Sequence, residues 1–168
     1  KEITVIESSE SLNFSGAKSI YVDPSNNIYI CDTENARVLI CDKDGRYIDE
    51  YNLPDSSLIP SDFSFKPIRV ISDSKGYVYV LSDGSYNGAL LYAPDKSFIG
   101  FYGTNSVNNG ILGAIKSLFT RMFPNNEKSA NSKRRLPYCF TDIVIDDDDF
   151  VYTSTDSVLV SQIKKLSP

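Results

Sequence analysis

The strongest constraint on this chain is a tandem repeat marked by tyrosine. Tyr29, Tyr79 and Tyr152 lie 50 and 73 residues apart, and an aspartate stands six residues before each, at Asp23, Asp73 and Asp146. The apolar positions around them match without a gap: Ile20, Val70 and Ile143; Tyr21, Ile71 and Val144; Ile28, Val78 and Val151. One further position holds Ile30, Val80 and Thr153. The first two copies also agree at their ends, where Tyr47-Ile48 corresponds to Phe98-Ile99 and Tyr51 to Tyr102. A unit repeated at this length is one supersecondary motif that cannot bury its apolar face alone, so neighbouring copies must pack on one another.

The first copy, Ile20 to Tyr51, shows what the unit is. Ile20-Tyr21-Val22, Ile28-Tyr29-Ile30 and Val38-Leu39-Ile40 are β-branched or aromatic runs of the kind a half-buried pleated surface prefers. Each run is short and bounded by turn formers, which argues for strands over helices. Asp23 to Asn27 supplies the first turn, Thr33 to Ala36 the second loop, and Asp42-Lys43-Asp44-Gly45 the third turn. Proline there fixes φ, and Asp or Asn can bond nearby backbone. An Asp-Gly pair between strand-like runs is a hairpin signal. The unit is therefore one antiparallel sheet of four short strands.

Around this frame the chain divides into a lone strand with its connector (1–15), a first sheet (16–51), a second (65–103), an insertion (104–135) and an incomplete third (136–168). Glu2 to Glu7 reads as a fourth strand without its first three, and Gln162 to Leu166 as the third strand of the last copy. The insertion spaces Ile111, Leu112, Ile115, Leu118, Phe119, Met122 and Phe123 along one helical stripe, with Asn108 or Asn109 to cap its start and Pro124 near its end. It is expected to be a helix covering the sheets, or a lid or docking element.

Composition narrows the function. The 168 residues are 41% hydrophobic and 23% charged, as in a soluble globular domain. A net charge of −5 disfavours nucleic acid, and Lys133-Arg134-Arg135 is too short a basic run to change that. No apolar run reaches the ~18 residues of a membrane span. The chain holds no histidine, which removes the usual general base, the imidazole metal ligands and every Ser-His or Cys-His pair. Of the three cysteines, Cys31 and Cys41 fall on opposite faces if Asp32 pairs with Arg37, so they cannot bridge. Asp146 to Asp149 lacks the alternating ligands, central glycine and distal glutamate of an EF-hand loop. It reads as a solvated turn.

The run Asp23-x3-Asn27-Ile28-Tyr29-Ile30-Cys31-Asp32-Thr33-x-Asn35-x-Arg37-Val38, followed by Asp42-x-Asp44-Gly45, resembles an NHL repeat. The second copy keeps the strand pattern and Asp95 but lacks the Asn-x-Arg of the loop, and the third keeps only its first half. The resemblance implies an all-β fold of propeller blades, four antiparallel strands each. About three blades are present, part of a six-bladed ring with one inserted helix. It further implies a noncatalytic binding or scaffold module that engages a protein or an extracellular glycan through its loop face. The competing reading is a sugar-lactonase-like hydrolase with carboxylates gathering a metal. The lyase activity of some relatives needs histidine ligands and is not carried over; no metal or other cofactor is expected. The composition and insertion resemble NHL proteins on the extracytoplasmic side of gut-dwelling bacteria.

Three blades are fewer than the ~4–8 that close a ring. The chain is expected to be a piece of a longer protein, or one of two copies that close a six-bladed ring by lending Glu2 to Glu7 to each other.

Nine residues follow as candidates. Asp32, Asn35 and Arg37 read as a staple across the second loop, with Arg37 opposite Asp32 in a charge-assisted bond. The enlarged loop of the second copy lacks that staple and offers Asp83, Tyr86 and Asn87 as ligand contacts, since binding residues favour loops on rigid scaffolds. Ser19, Arg69 and Asp142 stand one residue before the apolar trio of the first strand, where a propeller lines its channel.

Overall fold

The computed structural model describes residues 5–6, 12–103, 139–156 and 162–168. Three antiparallel sheets account for the described chain. The first runs in the order β1 (Ala17–Val22), β2 (Ile28–Asp32), β3 (Arg37–Cys41), β4 (Tyr47–Tyr51). The second repeats it with β5 (Pro67–Ser72), β6 (Val78–Ser82), β7 (Ala89–Tyr92), β8 (Phe98–Tyr102). The third holds β9 (Phe140–Ile145), β10 (Val151–Thr155) and β11 (Ile163–Leu166), with β10 in the middle. The helical stripe of 104–135 and the basic run at 133–135 lie outside the described residues. Of the lone strand Glu2 to Glu7, only Val5 and Ile6 are described.

The register follows from the turns. Asp32 pairs with Arg37 and Ile28 with Cys41 across the second hairpin. Cys31 then faces the second sheet, whereas Cys41 joins a separate cluster with Leu12, Ile30 and Leu39 on the far face. All three cysteines are free thiols. The β1–β2, β5–β6 and β9–β10 turns share one device, in which Asp23, Asp73 or Asp146 accepts the backbone N–H four residues on. At the end of each turn Asn26, Gly76 or Asp149 takes a left-handed φ of 65°, 84° or 64°. The tyrosine that marks the repeat closes this device in two copies. The Tyr79 hydroxyl donates to Asp73 at 3.3 Å and that of Tyr152 to Asp146 at 2.9 Å. In the first copy the Asn27 amide takes the equivalent carboxylate oxygen of Asp23, at 2.8 Å.

The sheets pack face to face, and their first strands touch in succession, β1 on β5 and β5 on β9. Tyr29, Cys31, Val38, Ile40 and Tyr51 meet Val70, Val78, Val80, Leu90 and Tyr92 in the first seam. Ile71, Tyr79, Leu81, Leu91 and Tyr102 meet Phe140, Ile143 and Val151 in the second. One rule serves both seams: the face bearing the tyrosine of one sheet covers the face bearing the valine beside it in the next. Strand alternation separates these faces by a single residue.

Candidate functional site

At the loop end of the second strands, one position decides how each sheet is closed. Asp32, Ser82 and Thr155 occupy it, three residues after each repeat tyrosine, and all are buried. Asp32 is fully buried and accepts from the Ser15 backbone N–H at 2.6 Å, the Asn35 amide at 2.9 Å and Arg37 Nε at 2.9 Å. Arg37 also reaches Glu50 at 3.1 Å and the Asn13 carbonyl at 3.1 Å, while the Asn35 amide donates to the same carbonyl at 2.7 Å. A buried carboxylate needs such partners, because desolvation penalises its charge. The loop between them is one turn of 3-10 helix, Thr33–Asn35, ended by Ala36 in the left-handed region at φ 53°. In the second sheet Ser82 replaces this ion pair with a neutral hydroxyl that accepts from the Lys66 N–H at 2.8 Å and donates to the Ser64 carbonyl at 2.9 Å. Ser82 and Thr155 are absent from the sequence candidates. Carrying the in-frame comparison three residues past each tyrosine would have found them.

Losing the staple frees the loop after β6. Gly84 has open space around it and Tyr86 is exposed. Ser85 ties the loop internally, its hydroxyl donating to the Gly88 carbonyl and accepting from the Asn87 N–H, each at 3.3 Å. Asp83 is fixed through its backbone N–H to the Lys66 carbonyl at 2.8 Å. The loop leans toward the start of β9. Burial pushes the Cys139 thiol up, the Tyr86 hydroxyl beside it pulls it down, and Asp156 and Asp83 push it up again.

The channel trio occupies the same end of the molecule. Arg69 pairs with Leu81, next to the enlarged loop, and its Nε meets Asp142 Oδ1 across the second seam at 2.7 Å. Both side chains are more than a third exposed, so water screens the pair and it adds little stability. Arg69 Nη1 donates to the Ile68 carbonyl at 2.8 Å and Asp142 Oδ1 also accepts from the Ile143 N–H at 2.9 Å. Arg69 Nη2 and Asp142 Oδ2 carry no further bond among the described residues. Ser19 stands across the β1–β2 ladder from Cys31. Its hydroxyl oxygen is buried and makes no hydrogen bond of ordinary geometry. It does lie close enough to lower the Cys31 thiol, as does the Arg69 charge, yet burial outweighs both and lifts that thiol to about 11. Cys31 is thus protonated and inert at neutral pH.

Arg69, Asp142, Asp83 and Tyr86 therefore gather at one end of the sheets, with Ser19 on the adjoining first strand and Asn87 in the same loop as Tyr86. Asp32, Asn35 and Arg37 form their own cluster in the first sheet, with Asp32 buried, Arg37 half-buried and Asn35 exposed. Among the described residues no three cysteine or carboxylate side chains converge on a metal-sized cage. The arrangement offers a fork of donors, a carboxylate and an exposed phenol ring, which is recognition chemistry.

Antiparallel four-strand units packed face to face, with first strands adjoining, are β-propeller blades. The family model of the NHL repeat matches residues 14–41, spanning β1 to β3. No curated protein matches the chain.

Proposed function

We propose that this is a noncatalytic propeller module that binds a protein or an extracellular glycan at the end where Arg69, Asp142, Asp83 and Tyr86 gather. The reading is carried by the Arg69–Asp142 contact at 2.7 Å, which holds a partly exposed guanidinium and carboxylate with bonding capacity to spare. A pair of this exposure contributes little to the fold, so its value lies in what it presents. Tyr86 adds apolar area with a polar tip at low conformational cost, the combination favoured at recognition surfaces. An extracytoplasmic setting suits such a module.

The test is capture by the immobilised module from a glycan array and from a panel of surface proteins. Arg69→Ala and Tyr86→Ala are expected to reduce binding at least tenfold, whereas Asp44→Ala, in the exposed β3–β4 turn, leaves it unchanged. Equal capture by all three variants would remove this surface from consideration.

A further inference from the structure

We propose that Asn87 is a site of spontaneous, enzyme-free deamidation, at which the loop after β6 converts its own amide to a carboxylate through a cyclic imide with Gly88. The site goes beyond the binding reading and does not depend on it, although the same loop serves both.

Ring closure needs a free side-chain amide, a following residue that does not obstruct it, and a backbone nitrogen whose hydrogen is not held. Asn87 and Gly88 meet all three conditions. The Asn87 side chain is half-buried and makes no hydrogen bond among the described residues; its backbone N–H alone is engaged, by the Ser85 hydroxyl at 3.3 Å. Gly88 has no Cβ to crowd the ring and stands at φ 94°, with the backbone latitude particular to glycine. Its carbonyl accepts from the Ser85 hydroxyl at 3.3 Å, yet its N–H finds no acceptor among the described residues. Gly88 is buried, and a buried N–H without a partner is costly. The imide nitrogen carries no hydrogen, so closing the ring removes that penalty.

Other asparagines of the sheets are held. Asn35, in the corresponding loop of the first sheet, gives its amide to Asp32 and to the Asn13 carbonyl. Asn27 gives its amide to Asp23, and Asn52 to Glu50. The residues that follow these three are Ala36, Ile28 and Leu53, whose side chains obstruct closure. The stapled loop thus protects its asparagine, and the loop that lost the staple does not.

In the reaction the Gly88 nitrogen gives up its proton and bonds to Asn87 Cγ. The bond from Cγ to the side-chain nitrogen breaks, and that nitrogen leaves with the proton as ammonia. Water, the one co-reactant, then opens the ring. Attack at Cγ gives aspartate on the original backbone. Attack at the Asn87 backbone carbonyl carbon gives isoaspartate, with the chain rerouted through the side chain and lengthened by one methylene. Either product adds a negative charge to a chain already at −5, in the loop that carries Asp83 and Tyr86.

The folded 168-residue chain, incubated in mildly alkaline buffer at body temperature and mapped by tryptic mass spectrometry, tests this. Cleavage at Lys96 separates the Asn87 peptide from that of Asn109-Gly110, a like pair outside the described residues. A sample held in urea supplies the reference rate. The folded chain is expected to convert Asn87 to aspartate and isoaspartate within about tenfold of that rate, as an open loop allows, while Asn27, Asn35 and Asn52 stay intact. Asn87→Gln, whose longer side chain would have to close a larger and slower ring, should fold alike by circular dichroism and give no acidic form of this peptide. Slower conversion in the folded chain, with Asn87 intact once the urea sample has turned over, would overturn the proposal, since the fold would then be shielding the pair. Conversion of Asn35 alongside Asn87 would overturn it too, because the staple would then give no protection.

Discussion

At the scale of the residue, Asp32 shows how one buried charge organises a loop. Its oxygens hold Ser15, Asn35 and Arg37 together, and Arg37 carries the link to Glu50. Truncating it removes the acceptor of the Ser15 N–H and of Arg37 Nε, and leaves the Asn35 amide only its bond to the Asn13 carbonyl. Asp32→Ala is expected to lower stability by about 3 kcal/mol in urea unfolding, the usual cost of breaking a buried pair. Asp44→Ala, whose ion pairs to Lys43 and Arg46 are solvent-exposed, should leave the urea midpoint unchanged. The Asn-x-Arg spacing in the sequence pointed to this cluster, because a two-strand hairpin puts those side chains beside Asp32. The further contacts with Asn13 and Ser15 come from a connector that no local pattern places.

At the scale of the element, each sheet is a set of hairpins whose two faces serve different neighbours. Leu90 is fully buried and lies on the β7 face that meets the first sheet. Leu90→Ala should cost about 3 kcal/mol through lost transfer energy and the cavity left behind, read as a lower urea midpoint. The strand runs and their turns were legible from β-branched pairs and Asp-containing turns, since these signals are local. The pairing partner of each strand was legible too, because short turns leave no other choice. The bulges between Ala17 and Ser19, between Pro67 and Arg69, and beside Asp142 were not, although each adjoins a member of the channel trio. A bulge changes the register by one residue without any compositional mark.

At the scale of the molecule, the seams are filled with tyrosines. Burial raises Tyr29, Tyr51, Tyr79, Tyr92 and Tyr102 above the ordinary phenol value, Tyr51 to about 12. The folded state therefore keeps protons that the unfolded chain releases near pH ~10. The unfolded state then binds fewer protons, so stability holds below that pH and falls as pH climbs past it. An ultraviolet titration should show these five of the eleven tyrosines ionising only as the fold opens, together with the loss of sheet signal. Smooth titration of all eleven with the sheets intact would contradict the packing of both seams.

The sequence by itself determined the repeated unit, its strands and turns, and the opposite faces of Cys31 and Cys41, because hairpin geometry and period-two alternation are local rules. Only the tertiary structure decided which face meets which, and that Arg69 crosses a seam to Asp142. Those outcomes depend on how one sheet settles against the next. No residue carries that information except in the company of a neighbouring sheet.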